Sequence, residues 1–386
     1  MKICYLSASL IPSRSANSLH VMKMCNALGS LGHIVTLFVP RTMRVGGVPD
    51  AEVFRHYGVP MSFSIVRVPL MRGRLGVAGF AWATARAVRK QRPDLIHGRS
   101  VESCYSAAVS GHDVSLEMHD AVVEQAKKAF GRLVELRRFR SLVVNSEGLR
   151  RHYEERYERL AGRIIVAHNG ADVISDGEQP QQLAAGRASR LQVGYVGQLY
   201  QGRGIELIVA LAALCPWADF HIVGGTEEDL ARWRTGTPAR ENLHWHGFMQ
   251  PSATGAFRRG CDVLLAPYQT SVSTAAWMSP LKVFEYMAAG KAIVASDLPV
   301  LHEVLQDEYN ALLCPPESIM HWVAALTRLR EQTAFRHQLG QRAKEEFRRK
   351  HTWAARAEYL VNRLGHNGTA STCATTTTKK IMGMTS

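Results

Sequence analysis

Two cations stand at the start of helical segments, where charge of the opposite sign is expected. In SPLKVFEYMAAG, residues 279–290, Ser279 has the character of a helix cap, Pro280 suits the first helical position and Gly290 the stop. Lys282 then falls in the first turn, beside the free N–H groups of Leu281, Lys282 and Val283, and opposes the helix dipole at a cost of ~0.3–1 kcal/mol. In GQLYQGRGIELI, residues 197–208, Arg203 lies between two glycines at the start of another helical segment. A bound anion offsets both anomalies, because free amides beside a fixed cation form a phosphate cradle. Two such starts in one half of the chain point to a diphosphate. The competing explanation is a pair of surface ion pairs, Lys282 with Glu285 and Arg203 with Glu206, each worth ~0.2–0.5 kcal/mol. Glu285, one turn further in, is placed to accept hydrogen bonds from vicinal sugar hydroxyls, as acidic residues do for ribose in dinucleotide sites.

Such loops need a scaffold that delivers strand, loop and helix in repetition. ICYLSA (3–8) reads as a strand. Residues 19–31 read as a helix, because Val21, Met24, Cys25 and Leu28 recur at helical spacing; Asn17 or Ser18 can cap it and Gly32 ends it. HIVTLFVP (33–40) is the next strand, and the resulting βαβ unit predicts a parallel sheet. Further strands are expected at 94–98, 114–118, 141–146 and 163–169. Periodicity then disappears over 173–190, and residues 176–190 read as a linker. Alternation restarts with strands at 191–197, 218–225, 242–247, 261–268 and 291–296 and a helix over 205–215. The expectation is α/β throughout: one doubly wound domain over 1–175, a second over 191–350, and a helix over 351–365 packing back towards the first. The low-complexity tail, 366–386, is expected to be disordered. Two such domains face each other across a central cleft at the carboxyl ends of their sheets, where these folds bind ligands.

The 386 residues, 46% of them hydrophobic, suffice for two cores. The seven cysteines are scattered, without CxxC or metal-ligand spacing, which predicts a reduced cytoplasmic setting, no disulfides and no metal site. MKICYLSASL reads as a buried strand rather than a leader. The apolar run from Leu75 to Ala85 is bracketed by Arg74 and Arg86 and is too short to span a bilayer. Of the net charge of +14, most lies in residues 1–172, with 25 Lys/Arg against 14 Asp/Glu. Residues 72–90 and 127–140 read as basic, partly amphipathic helices, which either pack on the core with solvated basic faces or lie against anionic lipid on the inner face of a membrane. Nucleic acid is not an expected partner, since the basic residues are not interleaved with stacking aromatics. No GxGxxG follows the first strand, which argues against a nicotinamide-dependent oxidoreductase.

The stretch SPLKVFEYMAAGKAIVASDLP resembles the second half of the signature of glycosyltransferase family 4, retaining enzymes of the GT-B fold with two Rossmann-like domains. The resemblance covers residues 1–365 and implies an acceptor-binding first domain and a nucleotide-sugar-binding second one. It places Glu285 on the donor ribose, Pro280 and Leu281 at backbone positions that approach the diphosphate, with Ser279 before them in the donor-binding set, and Arg203 at a basic position after the first strand of that domain, with Gly197 and Gln198 leading into it. Gln198 stands where the family usually has arginine, so Lys282 is the candidate for the second phosphate charge. Trp277 stands where the family has its first signature glutamate, which touches the donor sugar. In the first domain, IPSRSANSLHVMKMCNALGSLGH aligns with a loop that usually holds a Gly-Gly pair. Ala16 and Asn17 replace it here, putting Asn17 and Ser18 beside the donor. LEMHD (116–120) matches a strand-end His-Asp, which puts His119 in the donor-sugar pocket; a structural histidine is the alternative reading of the residue alone.

The implied reaction moves a sugar from a UDP- or GDP-sugar to a cell-envelope glycan or lipid-linked acceptor. Arg203 and Lys282 would stabilise charge on the leaving diphosphate and His119 would orient a donor hydroxyl. No cofactor or metal is expected, since no Asp-x-Asp pair occurs, and no paired carboxylates show glycosidase spacing. A non-catalytic nucleotide-sugar-binding scaffold, favoured by Trp277, and a nucleotide-sugar epimerase of the same fold are the alternatives.

Overall fold

The computed structural model describes residues 1–366 apart from Arg14, 43–46, 71–75, 176, 178, 184–189 and 252. The tail expected to be disordered, part of the expected linker and the start of the basic segment 72–90 therefore lie outside the described residues. Seven strands build the first sheet: β1 Lys2–Leu6, β2 Ile34–Arg41, β3 Ser64–Pro69, β4 Leu95–Gly98, β5 Val114–Met118, β6 Phe139–Val144 and β7 Ile164–Val166. Six build the second: β8 Leu191–Val196, β9 Ala218–Val223, β10 Leu243–Gly247, β11 Val263–Ala266, β12 Ala292–Ser296 and β13 Leu312–Cys314. The orders are β3-β2-β1-β4-β5-β6-β7 and β10-β9-β8-β11-β12-β13, and the paired strands run parallel. Both sheets turn back at their first strand, so each is doubly wound with its switch point there. This is the expected GT-B architecture.

Parallel strands with helices on both faces read as unbroken apolar runs. Ile3, Cys4, Tyr5 and Leu6 of β1 are each fully buried, as are Val263 to Ala266 of β11. The edge strands β3 and β13 escape the pattern reading for the same reason in reverse: β3 is half-exposed along its length and β13 has only three residues. The basic segment 127–140 is not one helix. The helix Glu124–Glu135 stops before Phe139, which is buried and pairs with Val114 as the start of β6. The first helix begins at Ala16, not Leu19, and its cap is Ser15, whose side chain accepts from the Ser18 N–H. Asn17 and Ser18 therefore lie inside the first turn.

The two halves are clasped at the carboxyl ends of their sheets. Glu147 and Gly148, at the start of the helix Glu147–Glu154, donate their N–H groups to the Glu303 carboxylate of the other half at 2.8 and 3.1 Å. A carboxylate at a helix N-terminus complements the dipole. Ser146 donates to the Trp277 carbonyl at 2.7 Å, and the Asn169 amide donates to the Ser279 carbonyl at 2.6 Å.

The chain then crosses back. The helix Trp353–His366 sets Trp353, Ala357 and Leu360 into the core formed by β1, β2 and the helix Ala16–Ser30. Its Arg356, 2% exposed, donates to Glu117 at 2.8 Å, to the His168 carbonyl at 2.8 Å and to the Ala167 carbonyl at 3.1 Å. Glu117 is itself buried, next to the carboxyl end of β5. Removing one partner of a buried ion pair strands the other charge at a cost of about 3–5 kcal/mol. Arg356→Met is accordingly expected to lower the unfolding free energy obtained from urea denaturation by an amount in that range; a loss below about 1 kcal/mol, as for an exposed pair, would show that the pair does not hold the strap.

Candidate active site in the interdomain cleft

The β8–helix loop and the helix Leu281–Ala289 bring Arg203 and Lys282 together on one wall of the cleft. Gly204, at φ +77°, caps the helix Ile205–Leu214 in the left-handed region that only glycine enters without strain. Arg203 therefore sits in the turn just before that helix. The helix carrying Lys282 is capped by Pro280, with no side-chain cap. Ser279 is not the cap, because its carbonyl is held by Asn169 across the cleft. Leu281 packs its side chain against the N-terminal core, and the first N–H groups of its helix lack intrahelical partners.

Neither cation forms the local ion pair that its sequence neighbour offers. The Lys282 ammonium is shielded from solvent without a hydrogen-bond partner. It lies 3.8 Å from the centre of the Tyr195 ring and 5.2 Å from that of Tyr268. The Arg203 guanidinium lies 4.7 Å over the Tyr200 ring and 5.4 Å from that of Tyr268, bonds the Tyr200 hydroxyl and keeps a buried, unpartnered Nε. Ring faces return ~0.5–2 kcal/mol each to a cation, far less than desolvation removes. Burial first, and then the Arg203 charge, hold the Lys282 pKa well below the ordinary lysine range, while Glu285 acts the other way. Glu285 pairs with Arg258 at 3.2 Å, which fixes its carboxylate. Gly197 makes the arrangement fit: a Cβ there would stand 2.6 Å from the Lys282 Nζ. Gln198 next to it is exposed, with its carbonyl accepting from the Tyr195 hydroxyl at 2.7 Å.

The opposite wall is a polar network around Glu117. Its two oxygens accept from His119 Nε2 at 2.5 Å, His97 Nε2 at 2.8 Å and Arg356 at 2.8 Å. Against burial, which pushes it up, the Arg356 guanidinium and the histidines hold its carboxyl well below the usual range. Burial, helped by the nearby Arg99 charge, brings the His119 pKa down to about 4. The imidazole is then neutral near pH 7 and donates its Nε2 proton to Glu117, leaving Nδ1 as an acceptor. His20 packs edge-on to His119 at 4.6 Å. His20, Glu117 and His119 place ligand-type atoms within 4.8 Å of one another. Arg356 already occupies the same Glu117 oxygen as His119, so this donor set suits a proton-sharing network better than a cation. Asn17 is exposed at the rim and donates to Ser9 at 2.7 Å, whereas Ser18 is buried and spends its hydroxyl on Ser13 and Ser15. Among the described residues no contact joins His119 to the Arg203–Lys282 wall.

Sequence reasoning passed over several of these groups. Tyr195 and Tyr268 look like core in an apolar strand and carry no outward signal. Glu117 does carry one, being a carboxylate inside the apolar strand VSLEM. Trp277 donates to Asp120 at 2.8 Å and packs on His152, with ring centres 4.8 Å apart, so it bridges the two halves. A cavity of about 500 Å³ lined by Arg137, Arg140, Arg159 and Arg163 opens at the amino ends of β6 and β7, away from the cleft.

Comparison with known proteins bears on this geometry. Residues 178–346 match the model of glycosyl transferases group 1 and residues 18–174 that of glycosyltransferase family 4. A phosphatidyl-myo-inositol mannosyltransferase of Mycolicibacterium smegmatis is 25% identical over 346 residues, 86% of this chain and 85% of that protein. The structure of HepE from Anabaena in complex with UDP superposes with a TM-score of 0.73 at 15% identity, covering 95% of this chain and all of that one. Sucrose-phosphate synthase from Thermosynechococcus elongatus does so with 0.72 at 19% identity, covering 96% of this chain and all of that one.

A diphosphate entering the cage would restore the Lys282 pKa towards its ordinary value, so binding takes up a proton wherever the free group is deprotonated, and affinity falls as pH rises. Titration with UDP at a series of pH values up to that of an ordinary lysine, about 10.4, in buffers of differing ionisation enthalpy, is expected to show proton uptake that Lys282→Met removes. Heats independent of the buffer would contradict this.

Proposed function

The chain belongs to the glycosyltransferases of group 1 and family 4, and from that premise we propose that it moves a hexose from a UDP- or GDP-sugar to a cell-envelope glycan or lipid-linked acceptor with retention of configuration. The observation that carries the reading is the pair of uncompensated cations, Arg203 and Lys282, beside the free amides at 281–282. Charge builds on the leaving diphosphate as the glycosidic bond breaks, and fixed cations in a shielded site stabilise it without reorganisation. They supply what a bridging metal otherwise would, so the proposed transfer needs no metal and no cofactor. Glu285, steadied by Arg258, takes the ribose hydroxyls. Pro280 and Leu281 bring backbone to the diphosphate, and Gly197 and Gln198 border it. His119 accepts a hydrogen bond from a hydroxyl of the transferred sugar through Nδ1. The departing phosphate oxygen removes the acceptor's proton.

A UDP-sugar is the first donor to try, since the Anabaena protein is held with UDP and with UDP-glucose. For the acceptor, the charge of the N-terminal half and the phosphatidyl-myo-inositol named for the mycobacterial relative support a lipid-linked molecule. The helix Gly76–Gln91 leaves Trp82 66% exposed, one turn before the exposed Arg86. An aromatic beside basic groups suits an anionic bilayer surface, and we place the protein peripherally on the cytoplasmic face of a membrane. No helix among the described residues is long and apolar enough to cross one.

Nucleotide release from a panel of UDP- and GDP-sugars with a membrane extract tests the reading. Wild type is expected to turn over at least one donor, and Lys282→Ala or Arg203→Ala to lose about 10²–10³-fold in kcat/KM. Nucleotide binding without release from any donor would favour a scaffold. Separately, Trp82→Ala combined with Arg86→Ala is expected to weaken binding to phosphatidylglycerol vesicles about tenfold; unchanged binding would remove this helix from the membrane face.

A further inference from the structure

Arg99 follows β4 directly, at the carboxyl edge of the first sheet, and its N–H donates to the Leu6 carbonyl at 2.7 Å. The register pairs His97 with Ser115 and Gly98 with Leu116, which sets Arg99 level with Glu117. His97 faces Ser115 and Glu117, and side chains two apart on a strand share a face. Arg99 therefore projects on the side that carries His119 and the Glu117 network. Its guanidinium makes no hydrogen bond and no ion pair among the described residues, and its Nη1 is shielded from solvent.

The obvious counter-charge is already taken. One Glu117 oxygen serves His119 and Arg356 and stands 3.3 Å from His20; the other serves His97. Two guanidinium groups stand near one carboxylate, which pairs with Arg356 alone, so the cluster keeps an excess positive charge. Two more groups there lack hydrogen-bond partners: the Tyr5 hydroxyl and His20, whose Nδ1 meets no polar group and whose Nε2 has only the 3.3 Å approach to Glu117, each side chain almost fully buried. Unpaired buried polar atoms are costly, and their gathering around an unpaired guanidinium calls for an incoming acceptor. A cation does not answer it, since Arg99 and Arg356 stand beside Glu117, the one carboxylate of the cluster among the described residues.

We propose that Arg99 recognises an oxyanion, a carboxylate or a phosphate, carried into the N-terminal wall of the cleft by one of the two substrates. The inference rests on the transferase reading above and narrows its substrate class to an acidic sugar donor or an acidic acceptor. Arginine suits the task because its planar fork binds either oxyanion through two parallel bonds.

The test is calorimetry on the full chain in two arms. The donor arm compares UDP-glucuronate with UDP-glucose. The acceptor arm compares myo-inositol 1-phosphate with myo-inositol, and adds inorganic phosphate, all in saturating UDP. In at least one arm the oxyanion is expected to bind about 10- to 100-fold tighter than its neutral counterpart, and the arm that responds identifies the source. Arg99→Gln is expected to abolish the preference and Arg99→Lys to retain part of it, with thermal melting checking that each variant is folded. No preference in either arm, or a preference that survives Arg99→Gln, overturns the assignment. Nucleotide binding, titrated with UDP and with GDP, reads the donor site separately: wild type that binds neither sinks the transferase reading, whereas normal nucleotide binding without oxyanion preference sinks only the role of Arg99.

Discussion

Lys282 is a cation that folding buries before it has a counter-charge. Its ammonium rests on tyrosine rings and faces the guanidinium of Arg203, a second positive charge. A sequence selected for stability alone would remove one of the two or seat a carboxylate between them. The nearest carboxylate, Glu285, is instead held by Arg258. Local rules are broken in this way where function needs them broken. The surrounding features serve the arrangement: Gly197 leaves room for the lysine side chain, Gly204 turns the chain so that Arg203 joins it, and Pro280 starts the helix with amides free.

The other wall has the opposite economy. Glu117 is saturated by its neighbours, and a helix from the far end of the chain supplies the arginine that compensates it. Anchoring the crossover helix and positioning His119 thus depend on one residue, because Arg356 on that helix holds the carboxylate that orients the histidine. The clasp at Glu303 and the Trp277–Asp120 bond fix the two walls relative to each other. Trp277, at the position where the resemblance expects the family's first glutamate, is occupied in that bridge.

Much of the scaffold was legible because parallel strands announce themselves as apolar runs between helices, and β4, β5, β10 and β12 could be read to within one residue at each end. The edges could not be, since β3 is half-exposed and β13 is very short. Helix starts were misplaced by one to three residues where several small polar side chains compete for the cap, as Ser13, Ser15 and Ser18 do. In the site, Arg203 and Lys282 could be found because a cation at a helix start is a local anomaly. The tyrosine cage, the Arg258–Glu285 pair and the Trp277 bridge join residues distant in sequence, and nothing in the local pattern specifies them. Arg99 and Glu117 lay between these cases: each is a charge in or beside an apolar strand, an anomaly that periodicity analysis treats as noise.

The most direct test of the account is a crystal structure of the chain with UDP bound. It should place the diphosphate within hydrogen-bonding distance of the Lys282 ammonium and the Arg203 guanidinium, with the amides at 281–282 completing the cradle. A diphosphate seated elsewhere in the cleft, with both side chains still resting on their tyrosines, would contradict the account at its foundation.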